Sequence, residues 1–504
     1  ISSKRHNWNY LSQKEPALFD HQIVTPRGKV LGGSSSINGM MYQRGNALDF
    51  ENWVDLGANG WSYREVLPYF KRAETFSGGG DDYRGDSGPL RTTRGTLACP
   101  LYQAFITAAI QAGYPATPDT NGFQQEGFGP QSATIGDGFR WSTARGYLNP
   151  IRGRKNLEIR TGALVHRILV QGNRAGGVAY EQGGQRFECQ ASREIILSAG
   201  AINSPQLLML SGLGPADVLK EHGIEVVKHL PGVGTNLIDH LAVSVRHACP
   251  LPVSLKKWDH PLGRVRVGLR WLFFKSGVAA SNFWEASGFV RTRTGIRWPD
   301  VQLDFLPLVY RNIHGVYVIS EGFQTHCGPL RAQSRGWVRL NSNEPRDKPR
   351  IFYNYLHEND DLVTMRAGLK IAREIHQQPA FDPYRGPELY PGPDCQSDDE
   401  LDDYIRGDAT TVFHPTSTCR MGTDHLAVVD PQLRVHGIES LRVVDASVMP
   451  QITSSNTNAP TIMIAEKAAD MIRGLPPLAP SEADYYTAPD WETTQRPGTP
   501  LRTL

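Results

Sequence analysis

Nowhere does this sequence read G-x-G-x-x-G, so it holds no complete fingerprint of the strand–turn–helix unit that binds dinucleotides. Apolar runs such as Ile195–Leu197 and Leu207–Leu210 fall far short of the roughly 20 residues that cross a bilayer, so no transmembrane segment is expected. The six cysteines (Cys99, Cys189, Cys249, Cys327, Cys395 and Cys419) have no short paired spacing. That pattern suits neither a disulfide scaffold nor a zinc site, so reduced thiols, a cytoplasmic compartment and no metal are expected. A formal net charge of only +2 gives no field that would draw nucleic acid or an acidic partner. The polar, basic opening Ser2–Asn9 is followed by no apolar signal region. Because residue 1 is Ile rather than Met, a fragment or processed product is expected.

With 504 residues, 39% hydrophobic and 21% charged, the composition is that of a globular protein of two domains. A Gly/Ser-rich turn over 28–39 leads to a helix over Tyr63–Ala73, and Ser77–Asp82 then breaks the chain. Strands are expected over Ala163–Val170, Gly177–Tyr180 and Glu194–Ser198. The last of these turns at Ala199-Gly200-Ala201 into a helix opened by Ser204-Pro205 and closed by Gly212 and Gly214. Such a helix start receives phosphates or packs beside them. Val301–Leu306 and Gly336–Leu340 read as strands, and Leu362, Met365, Leu369 and Ala372 share one helical face. A strand within Leu441–Ser447 precedes a helix over about 461–472, and the Pro-rich end is expected to be a surface or mobile tail.

The densest chemical signal is Gly28-Lys29-Val30-Leu31-Gly32-Gly33-Ser34-Ser35-Ser36-Ile37-Asn38-Gly39. Its glycines let the backbone approach a large flat or anionic ligand, and its serines add donors. It continues through Met41–Asn46 to Asp49; a second block runs from Gly200 to Leu208 and Leu210 to Gly214; a third joins Val444–Pro450 to Asn456–Thr461. In these three ordered blocks the chain resembles the glucose-methanol-choline (GMC) oxidoreductase family. A rival hydrolase reading of Gly85-Asp86-Ser87-Gly88-Pro89 lacks the second glycine of the protease motif and an upstream histidine block.

The resemblance implies an α/β FAD-binding domain from residues 1–75, 155–235 and 425–475. It also implies an α+β substrate domain with a largely antiparallel sheet from 76–154 and 236–424, and a tail over 476–504. Because the fingerprint is absent, the N-terminal βαβ unit of the FAD domain is expected to be missing, and the chain alone to hold FAD weakly or not at all. The cofactor residues implied are Gly32, Gly33, Ser34, Asn38, Gly39, Gly200, Asp445 and Ala446. An amide at Asn38, where some relatives carry a flavin-linked histidine, implies noncovalent FAD.

Alcohol oxidation needs a base for the hydroxyl proton and a hydride acceptor, and side chains supply only the first. His414, in Phe413–Gly422, sits where the family carries its active-site histidine, and Asn456 is placed to donate to the same oxygen. A trimethylammonium group cannot donate hydrogen bonds, so it calls for aromatic faces and a carboxylate. Trp284 and Glu285 offer both, with Glu285 as the anchor and His314 as a second histidine. Blocks at Glu321–His326, Ser334–Gly336, Asp394–Leu401 and Trp491–Arg496 are similar to the choline-oxidising branch, whereas Pro415-Thr416-Ser417 departs from it. The reaction implied is choline to betaine aldehyde, with onward oxidation to glycine betaine left open. Another primary alcohol, or an inactive remnant, is the alternative. The implied acceptor is a quinone or respiratory chain, reached from the cytoplasm or the inner face of the membrane.

Overall fold

The computed structural model describes residue 3 and residues 5–313 and 316–496. Its largest sheet runs in the order Glu388–Tyr390, Leu241–Ala248, Gly322–Pro329, Val301–Leu306, Ala286–Val290, Gly127–Pro130, with Thr410–Thr411 also paired to Leu241–Ala248. Every pairing in it is antiparallel. Side chains alternate between the two faces of such a sheet. Leu303, Phe305, Phe323, Cys327, Val243 and Val245 enter one core with the helices Pro100–Gln111 and Asn359–His376. Leu362, Met365, Leu369 and Ala372 are buried there, as their spacing predicts.

The intervening positions make a polar face. Ser287, Asp304, His326 and Ser244 stand side by side across four strands, with Gln302 and Gln324 in the flanking rows. None of these six side chains is freely exposed. Polar groups sheltered in this way must find partners in the protein or in a ligand.

A second core gathers Phe50, Trp53, Leu67 and Phe70 with Leu208, Met209, Val443 and Met463. It carries the parallel pair Ile195–Leu197 and Leu441–Val443. The helix that follows begins at Gly200, one turn before the expected opening at Ser204-Pro205. Asp445 makes the early start possible: its carboxylate accepts from the Gly200 N–H at 2.9 Å and the Ser204 hydroxyl at 2.6 Å. Pro205 has no N–H for the Ala201 carbonyl, and the Thr418 hydroxyl donates to that oxygen instead at 2.6 Å. The helix Tyr63–Ala73 falls where the sequence placed it, closed at its start by a Ser62/Glu65 capping box. The tail is not loose as far as it is described: the Gln495 amide donates to the Arg291 carbonyl at 2.7 Å, and Arg496 pairs with Glu374 at 2.9 Å. Both residues are buried, because these bonds close over the end of the sheet.

Candidate active site

His414 lies on a loop that three side chains fix, beside the start of the strand Leu241–Ala248, where Thr410–Thr411 pairs with it. Asp239 accepts the His414 backbone N–H at 2.7 Å, the Thr411 hydroxyl accepts the Phe413 N–H at 2.7 Å, and Arg27 donates to the Phe413 carbonyl at 2.6 Å. Phe413 and Ser417 take left-handed φ values of 72° and 73°, a conformation that non-glycine residues hold only where surroundings impose it. Asp239 is itself buried and accepts from the Tyr355 and Thr411 hydroxyls at 2.6 and 2.5 Å. The clamp is therefore anchored in the sheet core.

The hydrogen bonds around His414 fix which of its nitrogens keeps a lone pair. His240 Nε2 faces the Leu330 carbonyl at 2.9 Å, and a carbonyl only accepts, so that nitrogen carries hydrogen. In a neutral ring, His240 Nδ1 is then an acceptor. It lies 3.0 Å from His414 Nδ1, which must be the donor, leaving the lone pair of His414 on Nε2. Burial and the neighbouring His240 hold the His414 pKa well below the usual imidazole range, so the ring is neutral at pH 7. The Asn456 amide nitrogen sits 3.0 Å from that Nε2. The structure thus brings together a lone pair and a neutral donor, which are the two groups an alcohol oxygen needs as it loses its proton.

Asn456 is held through its neighbours. The Ser455 hydroxyl donates to Gln302 at 3.0 Å, tying the loop to the polar face. Asp49 accepts from the Ser454 N–H and hydroxyl at 2.6 and 2.7 Å, from the Asn46 N–H at 2.8 Å and from Arg331 at 2.6 Å. One buried carboxylate so joins the start of the helix Ala47–Asp55 to the Asn456 loop.

The Gly/Ser segment forms a bare backbone surface. Gly32, Gly33 and Gly200 have φ of 85°, 54° and 85°, and a Cβ on Gly33, Gly39 or Gly200 would meet no atom within 4 Å. Ser34 accepts the Gly28 N–H at 3.1 Å, and Asn38 accepts from Arg140 at 2.7 Å. Arg140 is half-buried, and burial lowers its pKa. A flat ring system with electron-rich edges fits this combination of open glycine backbone, amide and cation. Asp445 does not add to it directly: its oxygens are taken by Gly200, Ser204 and, at 2.8 Å, the Ser447 N–H, and a carboxylate would repel a pyrophosphate. Ala446 gives its carbonyl to the Ser417 N–H at 3.3 Å and so links this turn to the His414 loop.

Comparison with known proteins gives the family and the fold. Family models described as GMC oxidoreductase match residues 16–242 and residues 332–465. A protein of Burkholderia ambifaria named oxygen-dependent choline dehydrogenase is 50% identical over 496 residues, covering 97% of this chain and 87% of the relative. A protein of the same name from Pseudomonas savastanoi pv. phaseolicola is 49% identical, covering 100% of this chain and 89% of the relative. This chain belongs to the GMC oxidoreductase family. Among solved structures, pyridoxine 4-oxidase from Mesorbium loti superimposes with a TM-score of 0.84 at 32% identity, covering 93% of this chain and 89% of that one. Formate oxidase gives 0.84 at 26% identity, covering 94% and 89%. The fold is therefore the GMC oxidoreductase fold, with its FAD-binding and substrate domains.

In this GMC oxidoreductase the carboxylate of Glu285 is not free for a ligand. It accepts from the Thr96 hydroxyl at 3.0 Å, the Leu97 N–H at 2.7 Å and the Ser281 hydroxyl at 2.5 Å, so it fastens the 96–97 loop to the edge of the sheet. Trp284, one residue earlier, does reach the polar face, its ring meeting His326 edge-on at 5.1 Å. His314 lies outside the described residues. The acid that shares the polar face with Trp284 and His326 is Asp304. Among the described residues it has no ion-pair partner, and its two oxygens accept from Gln302 at 2.8 and 3.0 Å. Burial pushes its pKa up to about 7, which Gln302 offsets only in part. Arg246, farther along the same face, is already neutralised by Asp408 at 2.6 Å.

Proposed function

We propose that this protein oxidises choline to betaine aldehyde with noncovalent FAD, and that the aldehyde, as its hydrate, can undergo a second round to glycine betaine. The observation that carries the proposal is the unprotonated Nε2 of His414 beside the Asn456 amide. His414 takes the hydroxyl proton, and Asn456 donates a hydrogen bond to the oxygen as its negative charge grows. FAD, when bound, supplies the acceptor for the hydride. Gly32, Gly33, Ser34, Gly39, Gly200 and the backbone of Ala446 are proposed to hold it, with Asn38 and Arg140 at the ring.

The headgroup role read for Glu285 passes to Asp304. A cationic headgroup held there would be flanked by Trp284, His326 and Tyr310, whose ring stacks on His326 at 5.9 Å. Asp304 is two residues from Gln302 along one strand, about 7 Å, the reach of a two-carbon alcohol extending from the His414 end. The name of the curated relatives, oxygen-dependent choline dehydrogenase, favours choline independently.

Other parts of the proposal rest on resemblance. They are the segment boundaries of the two domains, an additional βαβ unit for the nucleotide, a cytoplasmic or peripheral location, and a quinone or respiratory-chain acceptor, with oxygen as the alternative the relatives' names supply. The visible spectrum tests the core of it. Purified chain is expected to retain little flavin, and with FAD added to saturation, anaerobic choline should bleach it. Stoichiometric flavin on purification removes the βαβ part; bound flavin that ignores choline removes the substrate.

Asp49 offers a test of positioning. Asp49→Asn removes one side of a buried ion pair and loosens Ser454, and a small displacement of a catalytic group can cost about 10²-fold in rate. We expect kcat to fall between about 10-fold and 10²-fold with KM changed much less, and the melting temperature to drop by several degrees. An unchanged kcat would leave Asp49 as a purely structural cap.

A further inference from the structure

The helix Pro261–Phe274 is built unlike the others described. Only Gly263 in it is buried. Leu262, Phe273 and Phe274 are 78%, 71% and 77% exposed, and Val265, Leu269 and Leu272 are at least half exposed. Positions 262, 265, 269 and 272 follow the spacing of one helical stripe, so these side chains form a continuous apolar ridge rather than scattered surface residues.

Charge surrounds the ridge with one sign. Between Leu255 and Lys275 stand six basic residues (Lys256, Lys257, Arg264, Arg266, Arg270 and Lys275) and one acid, Asp259. Asp259 pairs with Lys256 and Arg264 at 2.7 and 2.6 Å, leaving a surplus of five positive charges on the segment. Trp258 and Trp271 add amphipathic rings beneath nearby cations, with Lys275 4.3 Å from the Trp271 centroid.

We infer that this helix docks the protein on an anionic lipid surface, lying in the headgroup plane with its leucines and phenylalanines in the acyl region. At 14 residues it is about 21 Å long, too short to cross a bilayer, and no helix among the described residues is long and apolar enough to do so. Arginine and lysine beside large apolar side chains suit the interface, where long stems remain in the apolar layer and charged heads reach phosphate. A second copy of the chain fits worse. A twofold dimer through this helix would set the same five-charge surplus against itself.

The docked helix would be coupled to the redox site. Its Trp271 indole donates to the Gly138 carbonyl at 2.8 Å and meets Phe139 edge-on at 5.2 Å, and the next residue, Arg140, is the cation on Asn38. Docking therefore brings the Gly/Ser segment close to lipid, where an apolar electron acceptor dissolves. The docking stands on the helix alone and does not depend on choline being the substrate.

Vesicle co-sedimentation of the full chain tests it, with pure phosphatidylcholine compared against vesicles containing about one third phosphatidylglycerol. Binding to the anionic vesicles is expected to be at least about 10-fold tighter and to weaken as salt is raised. Phe273→Ser with Phe274→Ser should weaken it by about 30-fold or more, and Arg266→Glu with Arg270→Glu should abolish the preference for anionic lipid. All four positions are exposed, so the melting temperature should not move. Absence of vesicle binding would overturn the inference, as would binding that ignores both double substitutions. So would a solution dimer that the phenylalanine pair dissolves while vesicles are left unbound.

Discussion

Replacing His414 with Ala is expected to slow flavin reduction by choline about 10³-fold in FAD-saturated enzyme, within the range a positioned general base supplies. The melting temperature should change by only a few degrees, because the backbone bonds at residues 413 and 414 hold the loop when the ring's bonds to His240 and Asn456 are lost. The loss should appear in the rate of reduction at saturating choline, since the imidazole acts on the hydroxyl proton and not on the headgroup. His240 gives an independent reading. It touches His414 only through Nδ1, so His240→Ala leaves the base in place but removes the group that fixes its tautomer. We expect a loss of about 10-fold to 10²-fold for His240→Ala, smaller than for His414→Ala. Near-normal reduction in His414→Ala, measured by stopped-flow bleaching, would sink the assignment of the base.

The pairing of His414 with Asn456 was legible because each sits in a long block that resembles the GMC family, and the fold brings them to 3.0 Å. His240 was not legible. Its partner is 174 residues away, and neither Asp239-His240 nor its surroundings form a pattern that signals a tautomer relay. The strand Val301–Leu306 was read correctly, and its alternation of Val, Leu and Phe with Gln and Asp is plain in the sequence. Alternation of that kind ordinarily means one face in water. Here cover from distant parts of the chain shelters the polar side: Trp284 and Tyr310 pack on His326 and the Ser455 hydroxyl binds Gln302, so Asp304 is no ordinary surface acid. The local setting of Glu285 was not legible either: of two adjacent residues, Trp284 meets the polar face, while the Glu285 carboxylate is held by the 96–97 loop and Ser281. The same limit applied to the helix start, where sequence marks Ser204-Pro205 as an opening and Asp445, 241 residues later, allows another turn before it.

Asp304→Asn should raise KM for choline about 10²-fold while leaving 3,3-dimethylbutan-1-ol, its neutral isostere, within about 3-fold of wild type. That is the scale of one unit-charge contact at an effective dielectric near 20, less its desolvation. The amide keeps the volume of the carboxylate and can still accept from Gln302, so a selective loss reports charge and not packing. Acidity gives a second signature. With burial holding Asp304 near pH 7, the free enzyme becomes neutral at this position as pH falls, and a neutral acid does not attract the cation. Choline kcat/KM should therefore be fully developed above about pH 7 and decline toward about 10-fold per unit below it, whereas the isostere should show no such limb. The groups around Asp304 do not supply that limb. Burial lowers the His326 pKa to about 3, His414 is likewise held well below its ordinary range, and Arg246 is tied to Asp408. Asp304→Asn should abolish the limb together with the selectivity. Glu285→Gln is the contrasting case: by disturbing the 96–97 loop it should lower the melting temperature and affect both alcohols alike. Equal losses for choline and its isostere in Asp304→Asn would remove Asp304 from the headgroup site, and a selective loss in Glu285→Gln would restore the reading that adjacency to Trp284 suggested.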